Sequence, residues 1–208
     1  MSCWALVPVK RRAEGKRRLA QRLNAAERVE LVRTMLAQTM AALQAAKSLD
    51  GFAFVSVERD TIPENYPVFA DPGGGPNAAL DQGRKALIDR GVTELVVLPA
   101  DLPRVTGQEI DALVEAGRRT GFALAPDAGG TGTNALYLPA QRPFRFQFGA
   151  GSRARHLAEA RRIGLDPVIV ELPGLAFDVD DPEDLDRMLL CSESRYTPQP
   201  TDPGAASC

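Results

Sequence analysis

The strongest constraint on how this chain folds lies in residues 94–110, Glu-Leu-Val-Val-Leu-Pro-Ala-Asp-Leu-Pro-Arg-Val-Thr-Gly-Gln-Glu-Ile. Leu95, Val96, Val97 and Leu98 form an unbroken apolar run closed by Pro99. The run is too short for a helix and suits a strand buried on both faces, which implies a central parallel strand. Asp101 follows just past its carboxyl end, between two prolines, where ligands bind in open α/β sheets. Thr106 and Glu109 have capping-box spacing, predicting a helix from about Gly107. Asp101 thus faces a crevice. An acidic group there suits a divalent cation held against phosphates, although a turn aspartate shares the local pattern.

Composition narrows the classes. With 208 residues and 44% hydrophobic content, the expected organisation is one domain over residues 1–190. Residues 191–208, polar and proline-rich, predict a disordered tail. Apolar runs fall far short of a bilayer span and the N-terminus carries no signal pattern, so a cytoplasmic protein without a membrane partner is expected. A net charge of −2 argues against a nucleic-acid partner. The three cysteines include no CxxC, and the single histidine gives a triad little material. Chemistry must rest on carboxylates, basic residues and backbone amides.

Residues 4–9 read as a strand entering a run, 10–18, in which six of nine residues are basic. Such a loop suits a triphosphate: Lys10, Lys16 and Arg18 neutralise charge and Gly15 lets amides approach, though a solvated basic loop looks alike. Asn24 and Glu27 start a helix running to about residue 46, followed by strands at 52–57 and 68–70. Three consecutive glycines, Gly73 to Gly75, then form a loop before a helix that runs to about residue 90. Asn77 and the glycine amides could read a purine edge, or the segment is a flexible turn.

Residues 122–126 and 135–138 read as strands joined by a glycine- and hydroxyl-rich segment, suited to a small polar substrate or to a hairpin. Ser152 reads as the N-cap of a helix to about residue 163, whose first turn, with Arg153 and Arg155, would bind an anion. His156 more often packs than catalyses in such a place. After a strand at 168–172, Asp178 and Asp180 lie two apart as in a strand and share a face, as carboxylates holding a cation would, although a doubly acidic turn looks alike; Asp181 before Pro182 caps a helix.

These stretches together resemble the 2-phospho-L-lactate guanylyltransferase family of deazaflavin coenzyme F-420 biosynthesis. The matching pieces are Val-Pro-Val-Lys10, Lys16-Arg-Arg-Leu-Ala, Asn77-Ala-Ala-Leu, Pro-Ala-Asp101-Leu-Pro, Gly130-Thr-Gly-Thr133-Asn134, Phe148-Gly-Ala-Gly-Ser152 with His156, and Phe177-Asp-Val-Asp180 with Pro182-Glu-Asp-Leu. Pro76 departs from the family's usual leucine, and Arg-Ala-Glu-Gly precedes Lys16 where smaller residues are usual.

The resemblance implies a single-domain nucleotidyltransferase fold of the glycosyltransferase-A, Rossmann-like type: a mixed, mostly parallel sheet with helices on both faces. It implies GTP as donor and a phosphorylated three-carbon acid as acceptor, which across the family is 2-phospho-L-lactate, phosphoenolpyruvate or 3-phospho-D-glycerate. Pro8, Val9, Lys10, Lys16, Arg18, Gly75, Asn77 and Asp101 are then nucleotide-binding, with Asp101 and Lys16 catalytic. Thr133, Gly149 and Ser152 bind the acceptor, and Asp101, Asp178 and Asp180 hold Mg²⁺. A sugar-nucleotide glycosyltransferase or a non-catalytic nucleotide-binding domain would share much of this pattern. The choice of acid and the oligomeric state, a homodimer included, stay open.

Overall fold

The computed structural model describes residues 1–9 and 16–193. Strands β1 (Cys3–Val9), β2 (Gly51–Ser56), β3 (Val68–Ala70), β4 (Glu94–Val97), β5 (Gly121–Ala125), β6 (Ala135–Pro139) and β7 (Asp166–Ile169) form one sheet, in the order β3-β2-β1-β4-β6-β5-β7. The apolar run of residues 95–98 thus lies in the middle of the sheet. β4 is parallel to β1 and antiparallel to β6, which also pairs antiparallel with β5; the remaining pairs are parallel. The sheet is mixed and mostly parallel, as expected.

Alternation divides the core. Ala5, Val7, Val96 and Leu98 face a cluster completed by Leu36, Leu43, Ile110 and Leu113, from α1 (Ala25–Ala45) and α3 (Gly107–Thr120). Leu6, Leu95 and Val97 face the opposite cluster, with Leu80 and Leu87 of α2 (Pro76–Ile88) and Ala160 of α4 (Ser152–Arg162). Each central strand is buried on both sides because successive side chains point to opposite faces. Asn24 and Thr106 cap α1 and α3 with reciprocal capping boxes, satisfying amides the first turn leaves open.

Three expectations change. β7 spans Asp166–Ile169 instead of residues 168–172, because the chain turns into the short helix α5 (Pro173–Ala176). Residues 177–180 pair with no strand, although Phe177 and Val179 are buried and Asp178 and Asp180 less so, preserving the alternation. Helix α6 (Pro182–Glu193) carries regular structure past residue 190, and the rest of the expected tail, 194–208, lies outside the described residues.

A third cluster matters most for function. Leu19, from the turn Arg17–Gln21 that follows Lys16, packs with Leu31 and Met35 of α1, with Phe177 and Val179, and with Leu185 of α6. It ties the start of the chain to its late acidic segment. No helix of the described residues is long and apolar enough to cross a membrane.

Candidate active site

The carboxyl ends of β1 to β5, together with the start of β6, share one edge of the sheet, because β6 runs opposite to its neighbours. A cavity of about 670 Å³ opens there. Its lining includes Pro8, Val9, Lys16, Asp71, Gly75 and Pro76, and also Thr133, Phe148, Gly149 and Ser152. Asp101, Asp178 and Asp180 stand in its wall as well. Residues brought together from six separate stretches of chain thus face one space.

Lys16 is the hub of the charged group. Its ammonium donates to the carboxylate of Asp101 and, at 3.0 Å, to Oδ1 of Asp180, and its side chain is only 7% exposed. Burial works against its charge, but Asp101 and Asp180 carry the net shift the other way and raise its pKa. Among the described residues, Lys16 alone outside glycine has positive φ, at 55°. A left-handed lysine costs conformational energy and is retained where its surroundings over-determine it, here by two carboxylates and the packing of Leu19. Among the described residues no such cation is seen on Asp178. Burial, then the charges of Asp180 and Asp101, raise its carboxyl to about 6.

Asp178 is placed by a residue that sequence patterns left unassigned. The Asn134 amide donates to the carbonyls of Leu175 and Ala176, at 3.0 and 3.1 Å, and to Asp178 Oδ1 at 3.4 Å. Asp184 accepts from the backbone N–H groups of Asp180 and Asp181, while Asp181 Oδ1 accepts from those of Glu183 and Asp184. The predicted capping role of Asp181 is thus filled, and Asp180 is held just ahead of it. Asp127, also unassigned, accepts from the amides of Thr131 and Gly132, at 2.9 and 2.8 Å, and shapes the loop that presents Thr133.

Several side chains do something other than expected. Asn77 braces the loop at Phe148, accepting from its N–H at 2.8 Å and donating to its carbonyl at 3.3 Å, and it is not among the residues that line the cavity. Arg18 is exposed and not part of the cavity wall, and Lys10 lies outside the described residues. Ser152 is not the N-cap; Gly151 is, in a left-handed conformation with φ 67°, and Ser152 is the first helical residue, 2% exposed and lining the cavity. Arg153 and Arg155 donate to the carbonyls of Gly130 and Gln147, and neither is among the residues that line the cavity. These groups found backbone partners because the loops fold back on themselves, which local patterns do not register.

Among the described residues, the free cysteine is Cys3, buried in β1 with its thiol pushed up to about 12 by burial and by Glu94, unsuited to nucleophilic work.

Comparison with known proteins places this site in a lineage. A family model described as "Guanylyl transferase CofC like" matches residues 3–199. A phosphoenolpyruvate guanylyltransferase of Sphaerobacter thermophilus is 41% identical over 192 residues, covering 90% of this chain and 93% of that protein. The 2-phospho-L-lactate guanylyltransferase of Methanocaldococcus jannaschii is 28% identical, covering 92% and 84% respectively. Among solved structures, a nucleotidyl transferase from Methanothermobacter superposes with a TM-score of 0.67 at 19% identity, covering 94% of this chain and 99% of that one, which speaks to the fold. Since the family model spans nearly the whole chain and over its predicted motifs, the protein belongs to the CofC-like guanylyltransferases, and it is a nucleotidyltransferase enzyme.

Proposed function

We propose that this enzyme transfers a guanylyl group from GTP to the phosphate of a phosphorylated three-carbon acid, releasing pyrophosphate, as a step of coenzyme F-420 biosynthesis. The observation that carries the assignment is a single cavity lined by a buried lysine, three aspartates, and Thr133, Gly149 and Ser152. Phosphoenolpyruvate is the first acid to test, because a relative 41% identical is named for it.

An acceptor phosphate is already ionised at neutral pH, so its oxygen needs no general base. That oxygen forms a bond to the α-phosphorus of GTP while the bond to the bridging oxygen of the leaving pyrophosphate breaks. The protein must bring two anions together in line and offset their repulsion. Lys16 supplies a cation, and Gly75, which has no side chain and a φ of 91°, leaves its part of the cavity wall open to a nucleotide. Thr133 and Ser152, which line the same cavity, supply hydroxyls for the acid.

Asp101, Asp178 and Asp180 offer hard oxygen donors of the kind Mg²⁺ prefers, usually alongside substrate phosphates. Among the described residues no three acidic, histidine or cysteine side chains are drawn together at metal-binding distances, and Lys16 already spans two of the carboxylates. The Asp178 carboxyl is raised by burial first and then by the charges of Asp180 and Asp101, and a cation among these oxygens would offset both, so the donor set fits the ion. A Mg²⁺ ion held by these three would neutralise charge on the triphosphate and the departing pyrophosphate.

The test is to incubate the protein with GTP and Mg²⁺ and, separately, with phosphoenolpyruvate, 2-phospho-L-lactate and 3-phospho-D-glycerate, following pyrophosphate and product mass. The expected result is pyrophosphate together with a GDP-linked acid from one of them. Release of GDP in place of pyrophosphate would indicate glycosyl transfer; GTP binding without any product would indicate a nucleotide-binding domain.

A further inference from the structure

His156, the one histidine of the chain, is fully buried in α4 beside Thr133, which lines the cavity. Its Nε2 lies 2.9 Å from the backbone nitrogen of Gln147. A backbone N–H only donates, so Nε2 is an unprotonated acceptor. The proton of a neutral ring must then sit on Nδ1, which lies 3.0 Å from Thr133 Oγ1. The ring donates there and the hydroxyl accepts. A hydroxyl has a single proton, which is therefore not committed to His156, and Thr133 lines the cavity.

The surroundings hold the ring neutral. Burial, then the nearby Arg155 guanidinium, push its pKa down to about 4, against the opposing charge of Glu159. Glu159 is itself engaged by Arg162 and by the amide of Arg145. The rings of Phe144 and Phe148 pack against the imidazole with centroids 5.7 and 4.7 Å away. The strap carrying Gln147 is fixed from the far side too, where Asn77 of α2 holds both backbone groups of Phe148.

We infer that His156 is a positioning residue: held as the Nδ1–H tautomer by Gln147, it makes the Thr133 hydroxyl a dedicated donor to an anionic oxygen of the acid in the cavity. This rests on the assignment of Thr133, Gly149 and Ser152 to the acid. His156 touches no reacting atom. It decides which way the hydroxyl proton of Thr133 can point.

Because there is one histidine, tag-free protein labelled with ¹⁵N-histidine gives unambiguous ring resonances. Long-range ¹H–¹⁵N correlation between pH 6 and 8 should show the Nδ1–H tautomer, and addition of phosphoenolpyruvate with GTP and Mg²⁺ should shift its Nδ1 signal. The Nε2–H tautomer, an imidazolium, or no shift on saturation would overturn the inference. His156→Asn keeps an amide near the Nδ1 position, whereas His156→Gln keeps one near Nε2. His156→Gln and Thr133→Val should each raise the KM for the acid about tenfold with the KM for GTP nearly unchanged, and the double variant should add little. His156→Asn should recover most of that loss. Equal effects on both substrates, or lowered stability with unchanged KM values, would reduce His156 to a packing residue. The tautomer and its response to ligand are read without turnover. Failure of the guanylyl-transfer assignment, seen as no pyrophosphate from the wild-type protein with any acid, is therefore distinguishable from failure of this one.

Discussion

The Lys16 ammonium lies 3.0 Å from Oδ1 of Asp180, a residue 164 positions further along the chain, and it also holds Asp101. The turn at Lys16, the loop after the central strand and the segment before the last helix are thereby joined by one buried cation. Replacing that cation with an isosteric apolar chain, Lys16→Met, leaves three carboxylates facing one another. The kcat/KM should fall by at least about 100-fold, the scale of losing one electrostatic partner of the transition state. Mg²⁺ should raise the melting temperature of the variant more than that of the wild type, because the lysine no longer competes for the same oxygens. An equal gain in thermal-shift assays would place the cation elsewhere.

Asp101→Ala and Asp180→Ala should each abolish pyrophosphate release while the far-ultraviolet circular dichroism stays that of the native sheet. Neither side chain belongs to a hydrophobic cluster, so the packing that forms the sheet stays in place although each variant loses one partner of Lys16. Near-normal turnover in either variant would remove the aspartates from the reaction.

Ser152→Ala should raise the KM for the acid by about tenfold, the effect of one hydrogen bond to a charged group, with kcat much less affected. Steady-state kinetics at saturating GTP decides it. An unchanged KM would move the acid away from the start of α4.

His156 gives the protein a pH-dependent stability whose sign follows from its environment. Its folded pKa, about 4, lies below its ordinary 6.5, so on acidification the unfolded chain takes up the proton first. Stability is therefore full above about pH 6.5 and is lost as the pH falls toward 4, by on the order of 3 kcal/mol across the window. Urea denaturation at pH 7.5 and pH 5 should show a steeper loss for the wild type than for His156→Gln. Parallel losses would mean that the ring is not held neutral by the fold.

Gly117 in α3 lies so close to the ring of Tyr137 that a methyl group there would overlap it. Tyr137 has little room to move, since its hydroxyl donates to Glu94, itself held by Arg118. Gly117→Ala gains helix propensity but overpacks the core, so a net loss of about 2 kcal/mol is expected in chemical denaturation. A stabilised variant would show that the ring can swing aside.

Much of the architecture was legible because it is written locally. The capping pairs Asn24 with Glu27 and Thr106 with Glu109 lie one helical turn apart, and both form as the spacing implies. The apolar run at residues 95–98 needs both faces covered, and the sheet places it at the centre. Residues two apart share a face whether or not they pair in a sheet, which is why Asp178 and Asp180 reach one cavity although no strand forms there. Asn134 and Asp127 went unassigned because a polar residue in a glycine-rich loop gives no local sign of which distant amide or carbonyl it will meet.

By itself, then, the sequence determined the order of strands and helices, the clustering of acidic and basic residues beside their ends, and the family resemblance those motifs carry. Only the tertiary structure decided the partners. Insertion of β6 antiparallel between β4 and β5 brings Thr133 to the same edge as Asp101, and the packing of Leu19 on Phe177 and Val179 brings Lys16 to Asp180. The same packing logic turned Asn77 toward Phe148 and His156 toward Thr133. Periodicity and capping act over a few residues, whereas these pairings depend on how whole elements are stacked, and a hydrogen bond between distant groups leaves no spacing in the chain to find.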